Sequence, residues 1–253
     1  MDPRAARLLA WPFALAAAAL RFASEWWLEP LTWRLTSAAA GLVAWLAVGA
    51  AGILVPLGVY LLLTRSARRR PATFEVDGRA RRFTAPTAPA WVGPWSIVVG
   101  WLTGGVVMVE RVPGEDRVRL FDTGAVLVVE LVVVALVLLL IGVFLWSDRP
   151  RLTLDSQGIT VRGLLRRTTV RWDRLVPGGP PAPSGKSTGV LVLAEIPVPP
   201  GPRAVPRTVP VGRAHVDPVF LAGAVRHYVA AAEHRPAIGT PAELDRLRAA
   251  LAS

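Results

Sequence analysis

Hydrophobic and polar positions fall into two regimes along this chain: long apolar runs up to Ser147 and short alternating segments after it. From Leu35 to Thr64 no side chain is charged, and the core Ala38–Leu63 exceeds the ~20 apolar residues that cross a ~30 Å hydrocarbon layer. Pro56 within it predicts a kink, because proline frees a backbone carbonyl that neighbouring helices can satisfy. A second run, Trp91 to Val109, is just long enough to cross, and Trp91, Trp95 and Trp101 carry the amphipathic rings favoured at a membrane boundary. The third, Thr123 to Ser147, is a dense Val/Leu run interrupted only by Glu130. A fourth stretch, Leu8 to Leu20, is short of a crossing unless it continues through Arg21 and Glu25, and no small-x-small site closes it as a signal peptide. It reads as an amphipathic interfacial or packed helix, or as a further crossing, and the choice sets the side of the N-terminus.

Beyond Trp146 the period changes to two. Arg151 to Asp155, Ile159 to Arg162 and Thr168 to Trp172 alternate with β-branched residues, as strands with one buried face do. Ser156-Gln157-Gly158 supplies the first turn and Gly163 to Arg167 the second. A Pro/Gly-rich loop from Pro177 to Gly185 leads to an apolar strand over Gly189 to Ile196, and a short strand follows around Arg207 to Val211. Asp217 as N-cap with Pro218 at the first helical position opens a helix. Thr240-Pro241-Ala242-Glu243, a capping box, opens another. Strands first and helices last predict a small curved sheet closed by a helix. The resulting division is an N-terminal segment 1–37, a transmembrane region 38–147 with a basic loop 64–90, a separable β domain 148–235, and a C-terminal helix and tail 236–253.

Composition agrees with two environments, since 53% hydrophobic residues and a mean hydropathy of +0.43 exceed the usual soluble share, while the net charge is +11. Lys186 is the only lysine, and this arginine, alanine and proline usage resembles that of high-GC bacterial genomes. Cysteine is absent, which excludes disulfides, thiolate catalysis and cysteine-ligated metals. Between the first and second spans seven arginines face only Glu75 and Asp77, so that loop is expected to be cytoplasmic. Between the second and third, Arg111, Arg117 and Arg119 are outnumbered by Glu110, Glu115, Asp116 and Asp122, which suits the outer face. Everything after Arg149 is then cytoplasmic, in a multi-pass protein of the cell (inner) membrane.

The run RPRLTLDSQGITVRGLLRRTTVRWDRL resembles the start of bacterial pleckstrin-homology-like (PH-like) domains attached to membrane helices: a strand, a Gly turn, a "tvr" strand, a basic turn and a "tv-W-D" strand. The helix VDPVFLAGAVRHYVAAAEHRPAIGT resembles their C-terminal helix and tail. The resemblance covers roughly Arg149 to Thr240. It implies an α+β membrane protein: three transmembrane helices, or four, followed by a cytoplasmic PH-like β domain closed by an α-helix. The departure is that about five strands are readable where such a fold has seven, with a hairpin at Phe74 to Phe83 around Asp77-Gly78 as one source of another. In many eukaryotic PH domains basic residues of the early strands grip phosphoinositide headgroups, and Arg162, Arg166, Arg167 and Arg171 stand at comparable positions. The bacterial resemblance implies protein interaction or assembly instead.

Candidate chemistry is sparse. Gly185-Lys186-Ser187 has the end of a phosphate-binding loop, but Pro180 stands where the first glycine belongs. His227 and His234 are two turns apart and lack a carboxylate at ligand spacing, so neither a metal nor another cofactor is expected. No Ser/His/Asp or paired-carboxylate arrangement marks an enzyme, and no interleaved aromatic pattern marks nucleic-acid binding; no small-molecule substrate is evident. Gly100-x-x-x-Gly104 permits close helix packing, within the chain or between copies. Arg65, Arg68, Arg69 and Arg70 can act as topological determinant or attract anionic lipid headgroups. Glu130 lies ~10 Å into the third span at ~1.5 Å per residue. An intramembrane carboxylate must be protonated, paired or turned from lipid, here toward outer-face water or toward Thr103 or Ser96. The leading expectation is a non-enzymatic protein of the bilayer whose PH-like module docks a protein partner or its own copies. The alternative is a transport or channel subunit with Glu130 as its intramembrane site.

Overall fold

The computed structural model describes all residues except 33, 36, 113, 114, 116, 117, 122, 123, 150, 164, 165, 182–190, 197–204, 210 and 253. The elements in chain order begin with helices α1 (Pro3–Ala23), α2 (Glu29–Thr32) and α3 (Ala38–Leu63), strands β1 (Glu75–Asp77) and β2 (Arg82–Ala85), and helix α4 (Pro89–Gly104). Strands β3 (Val109–Arg111) and β4 (Val118–Leu120) and helix α5 (Ala125–Ser147) follow. Then come strands β5 (Arg151–Asp155), β6 (Gly158–Arg162), β7 (Arg167–Arg171), β8 (Leu191–Glu195) and β9 (Val205–Val209), and helices α6 (Pro218–Ala230) and α7 (Pro241–Ala252). These form two compact units, Met1–Arg68 with Val92–Ser147, and Arg69–Trp91 with Asp148–Ser253.

In the first unit three helical stretches are long and apolar enough to cross a membrane: 30 residues over Pro3–Thr32, 26 over Ala38–Leu63 and 23 over Ala125–Ser147. α3 starts where Ser37 caps it, its Oγ accepting from Ala40 N, and it ends as read from the sequence. Leu42, Val43, Leu54 and Leu62 on α3, and Val128, Val129, Leu139 and Val143 on α5, stand more than half exposed, a surface that suits lipid and not water. The N-terminal stretch differs from the short segment 8–20. α1 runs through a single π turn, Ser24–Leu28, into α2, because Arg21 and Glu25 neutralise each other one helical turn apart instead of ending the helix. The second apolar run is also different. α4 has 16 residues, about 24 Å at ~1.5 Å each, and stops at Gly104-Gly105; the valines beyond lead into β3, which pairs with β4.

The second unit is built on a five-stranded antiparallel sheet of order β1-β2-β5-β6-β7, with β8 and β9 forming a separate pair. The hairpin at Phe74 to Phe83 supplies two strands, and β2 lies against β5 with Phe83 opposite Leu154 and Thr84 opposite Thr153. Register separates the faces. Phe83, Leu154, Ile159 and Val170 form one cross-strand row on the apolar face, and Thr84, Thr153, Thr160 and Thr169 the next row, on the other. The apolar face joins one core with Leu191, Leu193 and Val209 of the second sheet, Leu221, Val225 and Tyr228 of α6, and Leu244 and Leu247 of α7. Phe74 stacks on Phe83 at 5.8 Å and tilts against Phe220 at 5.2 Å. Asp217 caps α6 as its sequence indicates, Oδ1 accepting from Val219 N and Phe220 N at 2.9 Å each. Thr240 Oγ1 accepts from Glu243 N, but Glu243 does not close the capping box: its carboxylate is buried and takes the Tyr228 hydroxyl at 3.1 Å and the Arg246 guanidinium.

Candidate functional site

The arginines of the β5-β6-β7 segment are ordered by strand register. Arg151 lies opposite Arg162, and Arg162 opposite Arg167, so three guanidinium side chains share one row across three strands. Directly opposed like charges repel, and only Arg151 has a nearby carboxylate, Asp148 at 4.0 Å. Arg162, Arg166 and Arg167 are exposed and form no ion pair among the described residues. Arg171, one row beyond Thr169, is held by Asp173 through two hydrogen bonds of 3.1 and 3.0 Å. Trp172 anchors the end of β7, its indole N–H donating to Asp155 O at 2.8 Å while its ring packs on Tyr228.

Beneath this hairpin, on the apolar face, lies a cleft of about 360 Å³ between β6-β7 and β9. Its floor is Ile159, Val170 and Val209; its rim is Arg166, Thr168, Pro206 and Thr208, all exposed. The arrangement is a hydrophobic slot beside fixed positive charge, fit for an occupant with apolar and anionic groups.

The arginine run after α3 is divided in its use. Arg68 Nη2 donates to Leu61 O at 2.8 Å, closing the last turn of α3, and Arg70 Nη2 donates to Gly212 O at 2.9 Å. Arg65 and Arg69 are exposed. Arg213 lies over the Trp91 ring at 4.7 Å. His215 is buried, and desolvation, followed by the nearby Arg70, holds its pKa below the ordinary histidine value.

In the first unit Glu130 is half-buried and accepts from Met108 N at 3.3 Å, just past the end of α4. The expected partners on α4 are engaged elsewhere: Ser96 Oγ donates to Val92 O at 2.9 Å and Thr103 Oγ1 to Val99 O at 2.7 Å. Glu130 thus satisfies a backbone amide in the turn between α4 and β3. Gly100 and Gly104 face α1, where an added Cβ would come closer than 3.0 Å to the backbone of Ala14 and of Ala18. The glycine face is occupied by the same chain, along a buried alanine stripe, Ala6, Ala10, Ala14 and Ala17.

Sequence reasoning missed two polar features here. Arg21 and Glu25 pair at 2.5 Å, and the Arg21 guanidinium lies 4.8 Å from the Trp101 ring centre. The (i, i+4) spacing was the available signal. Arg7, buried on α1, donates from Nε to Leu145 O at 2.8 Å, closing the last turn of α5; nothing local in the sequence signals it.

His227 and His234 do meet, their rings stacked at 5.2 Å, because the chain turns back after α6. Among the described residues no group of three metal-capable side chains exists, and Gly185, Lys186 and Ser187 lie outside those residues.

No curated protein and no solved structure matches the chain. Residues 149–177 match the family model of a bacterial PH domain. The part of the chain that is similar to a bacterial PH domain is therefore the one that holds the arginine row, the edge strand β7 and the Trp172 anchor.

Proposed function

We propose that this chain is a non-enzymatic protein of the bacterial inner membrane whose cytoplasmic PH-like unit docks a protein partner. The observation that carries this reading is the cleft rimmed by Arg166, with Arg162 and Arg167 on the opposite face of the same hairpin, three cations that no described carboxylate neutralises.

Strand pairing supports the membrane arrangement in this reading. β2 and β5 share one sheet, so residues 69–91 and 148–253 lie on one side of a bilayer, and an even number of crossings separates Trp91 from Asp148. α5 is one crossing. α4, extended by the turn to Val109, is the other, with Glu130 holding the Met108 amide where the helix is too short. Ala14 meets Gly100 and Ala18 meets Gly104, so α1 and α4 run in the same direction. Four crossings place both termini on the cytoplasmic side, where the arginine-rich loop 64–90 also belongs. The partnering of Glu130 with a backbone amide supports a structural role over a transport pathway.

Two measurements test this. Because the chain has no cysteine, single thiols at Asp2, Ser66 and Ser156 should resist an impermeant maleimide in intact cells while one at Glu115 reacts. Labelling at Ser156 would overturn the arrangement. A photo-crosslinking residue at Thr168 should give a discrete adduct in cells and one at Arg226 should not; no adduct from Thr168 would overturn docking at this face.

A further inference from the structure

Among the described residues the outer side of β7 is an unpaired strand edge. The sheet ends at β7; β8 pairs with β9 and otherwise meets this segment only beyond β7, at the Leu175–Glu195 bridge, where Ile196 N donates to Arg174 O at 2.7 Å and Val176 N to Ala194 O at 3.0 Å. Which backbone groups point outward follows from two hydrogen bonds flanking the β6-β7 ladder: Gly163 N to Arg166 O at 2.8 Å and Trp172 N to Gln157 O at 3.1 Å. In an antiparallel pair hydrogen-bonded and non-hydrogen-bonded positions alternate. With the register Ile159 to Val170 and Thr160 to Thr169, Thr168 and Val170 bond inward to β6, and Arg167, Thr169 and Arg171 turn their N–H and C=O groups outward.

The two faces flanking that edge differ in chemistry. On one, Arg167 stands opposite Arg162, both without a described carboxylate. On the other, Thr168 and Val170 lead into the cleft floored by Ile159 and Val209. A strand laid along β7 would point alternate side chains to the two faces. We propose that β7 takes up an extended segment of a partner protein in which acidic and apolar residues alternate, the acidic ones meeting Arg162 and Arg167 and the apolar ones entering the cleft. This deepens the docking role proposed above and rests on it. A lipid headgroup could neutralise the arginines, but it cannot supply the alternating donors and acceptors that the edge of β7 presents.

The full chain in nanodiscs of neutral lipid is the material, and the probe is a fluorescent ~8-residue peptide of alternating Glu and Val, the length of an ordinary strand. Anisotropy should report binding, and a peptide of the same composition with its Glu and Val in two blocks should bind at least ~10-fold more weakly. Thr169→Pro removes an outward N–H and no ladder bond, and Thr169→Val controls for the hydroxyl contact with Thr160 that both give up; the two chains should melt alike, and only the proline chain should bind ~10-fold more weakly. Arg162→Glu with Arg167→Glu should weaken it by at least as much, and raised salt should weaken the wild type. Equal binding of the two peptides, or a Thr169→Pro chain that melts and binds like Thr169→Val, overturns strand addition. So does a charge-reversal effect confined to flotation with phosphatidylglycerol vesicles, which would assign the arginines to lipid. A Thr168 cross-link in cells that survives Thr169→Pro would also overturn strand addition while leaving docking intact.

Discussion

Separating the hairpin β1-β2 from the rest of its sheet should unfold the PH-like unit. The hairpin puts Phe74, Phe83 and Ala85 into the core and pairs four residues of β2 with β5. Truncating a buried phenylalanine to alanine costs ~3–5 kcal/mol, so the two rings alone amount to ~6–10 kcal/mol. A whole domain of this size is stable by only ~5–15 kcal/mol. Losing the hairpin also leaves the edge of β5 open to aggregation. A fragment of residues 148–253 should therefore lack a cooperative urea transition, whereas residues 69–91 joined to it by a flexible linker should unfold cooperatively with a β-type circular dichroism spectrum. A lone 148–253 fragment that unfolds in one sharp transition would refute the reasoning. In the linked form Phe83→Ala should lower stability by ~3–5 kcal/mol, read from the urea midpoint at constant slope.

The remaining expectations concern single side chains. Glu130→Gln keeps an acceptor for Met108 N and should leave the melting temperature in detergent near wild type, whereas Glu130→Leu strands that amide and should cost ~1–3 kcal/mol. Gly104→Val should sharply reduce the folded yield because its Cβ meets the Ala18 backbone, while Gly58→Ala, with nothing near its Cβ, should not. His215 and His227 both have pKa values pushed below the ordinary histidine value, chiefly by desolvation. Each therefore favours its neutral form in the fold; stability should be full above the unfolded value of ~6.5 and fall as pH drops from there toward the folded values. Melting curves from pH 7.5 to 5 on the His215→Gln chain should show a flatter decline than wild type.

What could be read from the sequence was local. The limits of α3, the caps of α6, and the strands β5 to β7 follow from periodicity and end signals that lie within a few residues of each other. The reach of the N-terminal helix was hidden because Arg21 and Glu25 look like an end of apolar sequence when counted singly and like a neutral pair when seen together. α4 was overextended because the run to Val109 is apolar throughout, and its hydropathy does not reveal that a Gly-Gly pair ends the helix. The union of β2 with β5, the Glu130 contact with Met108 and the Arg7 contact with Leu145 join residues far apart in sequence, and no window along the chain holds both partners. The candidate interaction face was legible as a list of arginines; the alignment of Arg151, Arg162 and Arg167 in one row needed the register.

The pairing of β2 with β5 also imposes an order on biosynthesis. The ribosome releases the hairpin before α4 and α5 exist, and its partner strand emerges only after both. Until then Phe74 and Phe83 have no core to enter, and the hairpin waits as an exposed two-stranded ribbon, which is marginal by itself. In the arrangement proposed above, a chain whose α4 failed to insert would leave the hairpin and β5 on opposite sides of the bilayer, with no route to meet. Under the proposed four-crossing arrangement, completion of the sheet would act as a proofreading step for membrane insertion: correctly threaded chains would bury their aromatic residues, and misthreaded ones would keep them displayed to the proteases that clear unfolded protein.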